Sequence, residues 1–242
     1  MPEPVAVPVG WRNSSPQASL AFFPPRPLGE AAAGVALPGL PAEGLGRRLV
    51  RIRAPYDLRL RLSPPAVRPV QVGRVPKDST LSEDGFRGLV TPIKPSAQRD
   101  PDTVAVQVAL NLFFVCDEDC TLHLMPPFLS PNFRHWPGPI VCGRFPLKSW
   151  PRPLNAVLEW QDRSRDWVIR RGDDLAYVLF AFDDPTKVPA LTEAALTPAL
   201  RRHVAQVDNV SSFGRNVGPM FAEAERRRPA RLLVPKRIGH TD

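Results

Sequence analysis

The stretch Val50-Arg-Ile-Arg-Ala-Pro-Tyr-Asp-Leu-Arg-Leu-Arg-Leu62 alternates between two classes of side chain. Every even position is apolar or aromatic, and every odd position is charged or proline. Because a strand sends successive side chains to opposite faces, a strand gathers the apolar residues on one face, whereas a helix scatters them around its axis. The stretch therefore predicts a β-strand with one face buried against a core.

A hairpin that turns at Pro55-Tyr56 is the alternative reading of this stretch. Its register places arginine directly opposite arginine, and such like-charge pairs are unfavourable. We therefore expect a single long or bent strand, with an edge or a bulge at Pro55, which has no N–H for a ladder. The outward arginines are candidate contacts to an anionic ligand or partner, and a solvated edge guarded by charge is the alternative. These candidate interface residues are Arg51, Arg53, Arg59 and Arg61.

The length of 242 residues fits one large β domain, or one domain with extensions. The 31 prolines occur between apolar runs as well as near the N-terminus, which indicates many short strands and rigid loops. No apolar run approaches the ~20 residues of a membrane span, and the N-terminus has neither a basic start nor an apolar signal core. We expect synthesis in a host cytoplasm without export, and no membrane partner.

The net charge of +8 is unevenly distributed along the chain. Residues 1–100 carry +6, residues 101–189 carry −2, and residues 190–242 carry +4. A nucleic-acid groove requires a continuous basic stripe with interleaved aromatic residues. A near-neutral middle between basic ends favours assembly against an anionic protein partner, with nucleic acid as a less favoured alternative.

Three regions are expected along the chain. Residues 1–46 predict a proline-rich extended arm, whose apolar anchors dock on the parent domain or reach a neighbouring subunit. Residues 47–189 predict the β domain. Residues 190–242 predict C-terminal helices and a solvated basic tail, and the helices are expected to start at Thr197-Pro198 and near Pro219. The anchors proposed as interface residues are Trp11, Phe22 and Phe23.

Several strands and hairpins are expected in the middle region. Val104–Val115 predicts one central strand, which returns through a turn at 116–120 as Thr121–Met125 to form a hairpin. Leu154–Arg170 predicts a second hairpin, Leu175–Phe182 a deeply buried strand, and Phe86–Ile93 a short strand. Many strands followed by helices at the end indicate a mainly β protein, an antiparallel β-sandwich or jelly roll.

All three cysteines and two histidines fall within 27 residues: Cys116, Cys120, His123, His135 and Cys142. Their spacing matches no standard zinc pattern, so we predict no metal and no cofactor. For the cysteines themselves, three interpretations remain open: reduced structural thiols, a metal site and a Cys116–Cys120 disulfide. An oxygenase of the cupin type needs a carboxylate two residues after its first histidine, and Met125 stands there. A cupin-like enzyme using His123 and His135 is one alternative function. A glycan-binding or small-ligand-binding module using exposed Trp136, Trp150 or Trp160 is the other.

Four segments support a family resemblance: Ala54-Pro-Tyr-Asp-Leu58, Gly143-Arg-Phe145, Trp150-Pro-Arg-Pro-Leu154 and Arg171-Gly-Asp-Asp-Leu-Ala-Tyr-Val178. In this order and spacing, about residues 50–192 resemble an uncharacterised family of β-rich proteins found in bacteriophage and prophage genomes. The resemblance implies a phage context and supplies no catalytic residues. We therefore predict a non-enzymatic structural or interaction protein, a virion component in a homo- or hetero-oligomeric assembly, whose arm and basic tail contact neighbours.

Overall fold

The computed structural model describes residues 3–14, 21–30, 45–64, 67, 70–94, 103–149, 152–208 and 218–236. Its strands are β1 (Val5–Asn13), β2 (Arg26–Pro27), β3 (Leu49–Arg53), β4 (Leu58–Leu62), β5 (Val72–Arg74), β6 (Val90–Pro92), β7 (Val104–Ala109), β8 (Leu112–Cys116), β9 (Thr121–Met125), β10 (Gly143–Pro146), β11 (Asn155–Trp160), β12 (Trp167–Ile169), β13 (Asp174–Ala181) and β14 (Lys187–Glu193). Its helices are α1 (Leu45–Arg48), α2 (Glu83–Leu89), α3 (Pro198–Asp208) and α4 (Gly218–Arg226).

The protein is mainly β, as predicted, and its strands form several sheets. A five-stranded sheet has the order β10-β9-β13-β3-β2, and three-stranded sheets have the orders β14-β1-β8, β11-β7-β6 and β12-β4-β5. All of these strand pairs are antiparallel except β1 and β14, which run parallel.

The alternating stretch 50–62 buries its apolar face as predicted, since every even position is buried. It is not one continuous strand. β3 belongs to the five-stranded sheet, and β4 pairs with β12 and β5 in a different sheet. The two are joined by a corner at residues 54–57, where Pro55 interrupts the ladder. The strands β3 and β4 do not pair with each other, so the hairpin alternative does not apply.

The predicted hairpins are wrong. Residues 104–115 form two strands, because the chain breaks at Leu110-Asn111, where Asn111 adopts a left-handed φ of 50°. β8 pairs with β1 whereas β9 pairs with β10 and β13, so the turn at 117–119 carries the chain from one sheet to another. β11 and β12 also lie in different sheets. Tertiary packing across sheets replaces the local pairing that short turns would permit.

Part of the predicted arm lies inside a sheet. β1 is the central strand between β14 and β8, and it buries Val7 and Val9 in the main core. The predicted domain boundary at residue 189 falls within β14, which was not predicted. β1 and β14 pair in parallel with each other, although their prolines are typical of a loop. Pairing between distant parts of the chain therefore decides the structure of both segments.

Helix capping explains another difference from the prediction. The predicted strand at residues 86–93 is helical up to Leu89, because the Ser82 hydroxyl accepts a hydrogen bond from the backbone N–H of Gly85 (3.0 Å) and caps α2. The predicted cap at Thr197 is confirmed, since its hydroxyl accepts from the N–H of Leu200 (3.1 Å). The prediction of a helix near Pro219 is also confirmed by α4.

The C-terminal segment packs on the sheets. Asp117 accepts hydrogen bonds from the backbone N–H groups of Leu232 and Leu233 and from Arg228, whose side chain is 5% exposed. Leu232 and Leu233 lie in a small core with Phe113, Val115, Ala194 and Leu200. Arg228 is therefore a buried structural residue, and the prediction that it lies in a solvated tail is wrong.

Candidate functional site

The four predicted interface arginines are separated by the corner into two pairs with different surroundings. On β4, Arg59 donates to Asp166 (2.6 Å) and to Asp78 (2.9 Å), and Arg61 donates to both oxygens of Asp166 (3.0 and 2.7 Å). Hydrogen bonds from Arg61 and from Arg59 lower the pKa of Asp166. This pair is neutralised within the molecule.

On β3, Arg51 and Arg53 occupy half-buried outward positions of the five-stranded sheet. Arg26 on the edge strand β2 lies directly opposite Arg51. In the part of the chain that the structure describes, none of these three arginines forms an ion pair within 4.0 Å. Burial, with the positive charges of Arg51 and Arg26, lowers the pKa of Arg53. These cations repel one another instead of being matched.

Arg171 extends this group of cations to the corner. The turn 170–173 contains Gly172 at a φ of 91°, a conformation that glycine adopts without strain, and the Gly172 N–H donates to the carbonyl of Ala54 (2.8 Å). The backbone N–H of Arg171 donates to Asp57 (3.0 Å). The turn is thereby fixed against the corner, and it presents Arg171 beside β3.

Phe23 links Arg171 to Arg53. The Arg53 guanidinium carbon lies 4.1 Å from the centroid of the Phe23 ring, and that of Arg171 lies 5.0 Å from it. Both guanidinium groups therefore make cation–π contacts with one ring. We call Arg26, Arg51, Arg53 and Arg171 the arginine cluster, in which Phe23 contacts Arg53 and Arg171.

Asp174 is the carboxylate that faces the arginine cluster. It lies opposite Arg53 in the β13–β3 register and accepts a hydrogen bond from the Tyr177 hydroxyl (2.9 Å). Burial raises the pKa of Asp174, although the Tyr177 hydrogen bond and the charges of Arg51 and Arg53 act in the opposite direction. One carboxylate faces several guanidinium groups, so the cluster keeps a net positive charge.

The donor inventory of the cluster indicates the chemistry that it can bind. The Nε of Arg51 is buried and has no hydrogen-bond partner among the described residues, which leaves a donor without an acceptor there. Guanidinium groups bind carboxylate and phosphate groups through paired N–H donors, and adjacent cations strengthen such binding. The arrangement is therefore suited to an anion with several acceptor oxygens.

Comparisons with known proteins add no family to this geometry. No protein-family model, curated protein or solved structure matches the chain. In the described ranges, no helix is long and apolar enough to cross a membrane.

The predicted cysteine and histidine candidates do not converge on one site, although Cys116 and Cys120 lie together. Among the described residues, no group of three or more His, Cys, Asp or Glu side chains is arranged to hold a metal ion. Cys116 and Cys120 are buried, and a hydrogen bond between their thiols lowers the pKa of Cys116. Cys142 is an exposed free thiol, His123 is half-buried on β9, and His135 is exposed and accepts from Arg134 (3.1 Å). A cupin-type site using His123 and His135 finds no support in this arrangement.

The aromatic candidates have different positions. Trp136 and Trp160 are buried, so the prediction that they are exposed for glycan stacking is wrong; Trp150 lies outside the described residues. Trp11 packs on the main core from β1. Phe23 belongs to the arginine cluster, and Phe22 lines a cleft beside it.

Sequence reasoning missed Arg26, Arg171 and Asp174 as members of the site. In the sequence, Arg171 begins a segment of the family resemblance, and no local signal marks it as a site residue. Arg26 follows a proline-rich segment without periodicity, and no local signal distinguishes it. Only the pairing of β2 and β13 with β3 brings the three to the same place.

Proposed function

We propose that this chain is a non-enzymatic structural or interaction protein that binds an acidic segment of a protein partner through the arginine cluster. The observation that carries the proposal is that Arg26, Arg51 and Arg53 lie together without ion-pair partners in the described chain, while the neighbouring Arg59 and Arg61 are paired. Guanidinium groups held in place by a sheet and by Phe23 are preorganised for carboxylates, which reduces the entropy lost on binding.

The charge pattern favours a protein partner over nucleic acid. The cluster is compact, and Phe23 is the aromatic ring stacked on its guanidinium groups. Binding of single strands requires a longer basic groove with several stacking rings. The near-neutral charge of residues 101–189 argues against such a groove across the sheets.

The proposal includes the architecture and the setting. Phe114 on β8 and Phe180 on β13 pack edge to face at 5.1 Å, which supports a sandwich of the β14-β1-β8 sheet on the five-stranded sheet, in the manner of a jelly roll. The sequence resemblance to phage proteins supports a virion component in a multi-subunit assembly. In that setting, the acidic segment belongs to a neighbouring subunit.

The test is the binding of fluorescein-labelled hexaglutamate, measured by fluorescence anisotropy. The variant Arg51→Ser/Arg53→Ser removes two guanidinium groups from the cluster, and we expect at least about tenfold weaker binding, because each charge-assisted hydrogen bond contributes more than about 1 kcal/mol. The matched control Arg59→Ser/Arg61→Ser removes two paired arginines, and its affinity should stay within about twofold of the unmodified protein.

Two outcomes would overturn the proposal. Equal loss of affinity in both double variants would mean that hexaglutamate responds to net charge alone. A single-stranded DNA oligonucleotide that binds more tightly than hexaglutamate, with the same dependence on Arg51 and Arg53, would make nucleic acid the partner.

Raising the salt from about 0.05 M to about 0.5 M should weaken the specific binding, since the Debye length falls severalfold.

A further inference from the structure

A cleft of about 550 Å³ opens beside the arginine cluster, at the corner between β3 and β4. This volume lies within the usual range of ligand pockets. Its apolar walls are formed by Phe22, Pro55, Tyr56, Leu81 and Leu89, and Arg171 lies among its polar walls. The cleft is therefore mostly apolar with a few polar groups, which is the composition of a site for an apolar side chain.

Arg171 belongs to both the cleft and the arginine cluster. Its Nη1 donates to the carbonyls of Ala21 (3.2 Å) and Pro55, which fixes the guanidinium at the cleft wall. Among the described residues that line the cleft, Arg171 is the charged one. When an acidic residue of a partner segment binds Arg171, the next residue of that segment lies at the cleft.

Helix α2 leaves one side of the cleft open. Gly85 and Gly88 lie three residues apart on this helix, so they share a face and present backbone instead of side chains. A Cβ atom added at Gly88 would meet no heavy atom of the described residues within 4 Å. This position in the cleft lining therefore tolerates an added side chain.

From these observations we propose that the corner cleft takes an aromatic side chain of the partner's acidic segment, next to a carboxylate held by Arg171. This inference rests on the proposed function and specifies its ligand as an acidic peptide with an aromatic anchor. Charge complementarity selects the acidic residues, and burial of the aromatic ring supplies the affinity that charges alone do not give.

The experiment compares two labelled peptides by fluorescence anisotropy: hexaglutamate with its last residue replaced by phenylalanine, and the same peptide with alanine there. With the unmodified protein we expect the phenylalanine peptide to bind at least about fivefold more tightly, because burying an aromatic ring contributes more than about 1 kcal/mol. The variant Gly88→Phe fills the cleft, so it should bind both peptides equally. Gly88→Ala is the matched control and should keep the preference.

The outcomes separate this inference from the proposed function. If hexaglutamate binds through Arg51 and Arg53 but the unmodified protein does not distinguish the two peptides, the cleft proposal is overturned and the proposed function stands. If Gly88→Phe keeps its melting temperature and its preference for phenylalanine, the ring binds elsewhere and the cleft proposal is again overturned. If no acidic peptide binds, the proposed function fails, and the anchor fails with it.

Discussion

Arg51 and Arg53 on β3 differ from Arg59 and Arg61 on β4 in what faces them. The two pairs belong to one alternating stretch, and their apolar neighbours are equally buried. The β4 pair meets Asp78 and Asp166, whereas the β3 pair meets Arg26 and, among the described residues, one carboxylate, Asp174. Identical residues in one pattern therefore have opposite electrostatic environments. The β4 arginines contribute to stability, and the β3 arginines are retained at an electrostatic cost that is typical of binding sites.

The largest expected effect is the loss of the carboxylate shared by Arg59 and Arg61. Asp166→Ala removes three hydrogen bonds between β4 and the turn before β12. We expect the melting temperature to fall by about 3 °C or more, because both arginines lose their shared carboxylate. The fall is limited because the arginines are partly exposed and solvent weakens their ion pairs. Differential scanning fluorimetry measures this change. The control Asp183→Ala removes an exposed turn carboxylate and should leave the melting temperature unchanged; an equal fall in both variants would contradict the comparison.

Replacing an arginine with serine should lower the melting temperature on β4 but not on β2. Arg61→Ser removes a cation paired with Asp166 and should lower the melting temperature by about 1–2 °C. Arg26→Ser removes a cation that lies directly opposite Arg51, and at low ionic strength it should leave the melting temperature unchanged or raise it by up to about 1 °C. Thermal melts in low salt test this, and a clear fall for Arg26→Ser would mean that the arginine cluster is compensated.

A smaller effect is expected when the lone carboxylate is neutralised. Asp174→Asn keeps a side-chain acceptor for the Tyr177 hydroxyl but removes the negative charge facing Arg51 and Arg53. Hexaglutamate should then bind about threefold more tightly, because the cluster becomes more positive. Anisotropy titration measures the affinity, with Asp183→Asn as the control for total charge. Weaker binding by Asp174→Asn than by that control would show that Asp174 orients the arginines.

The smallest effect is expected in the acid range. The pKa of Asp166 is lower in the folded protein than its ordinary value of about 3.9, so its stabilising contribution is complete above that value and is lost as the pH falls through the folded pKa. In Arg59→Ser/Arg61→Ser the carboxylate loses the hydrogen bonds that lower its pKa. Urea denaturation at a series of pH values between about 5 and 2.5 should therefore show a shallower loss of stability in this variant. Parallel curves for the two proteins would contradict the assignment.

Much of the local structure followed from the sequence. Strict alternation predicted the burial of the even positions from Val50 to Leu62, whereas the single strand with an edge or bulge at Pro55 is two strands of different sheets joined by a corner. The cap and proline at Thr197-Pro198 predicted α3. These signals are local, because alternation and capping are patterns of residues within a few positions of one another.

The site depended on contacts that no local signal encodes. Arg59 meets Asp166 across 107 positions, and Arg171 meets Ala21 across 150. Short turns such as 117–119 looked like hairpin turns, yet the strands on either side pair in different sheets. A turn of given length has the same composition in both cases, so the sequence could not show which arginines would be neutralised.

The parallel pair of β1 and β14 has a consequence for the order of events during synthesis. Val5 pairs with Lys187, so a ribosome that adds about 5–20 residues per second completes β14 roughly 10 to 40 s after β1. During that interval Val7 and Val9 have no partner strand on that side. Such long-range closure makes folding slow, and the sheet β14-β1-β8 can be completed only after nearly every other strand has been translated.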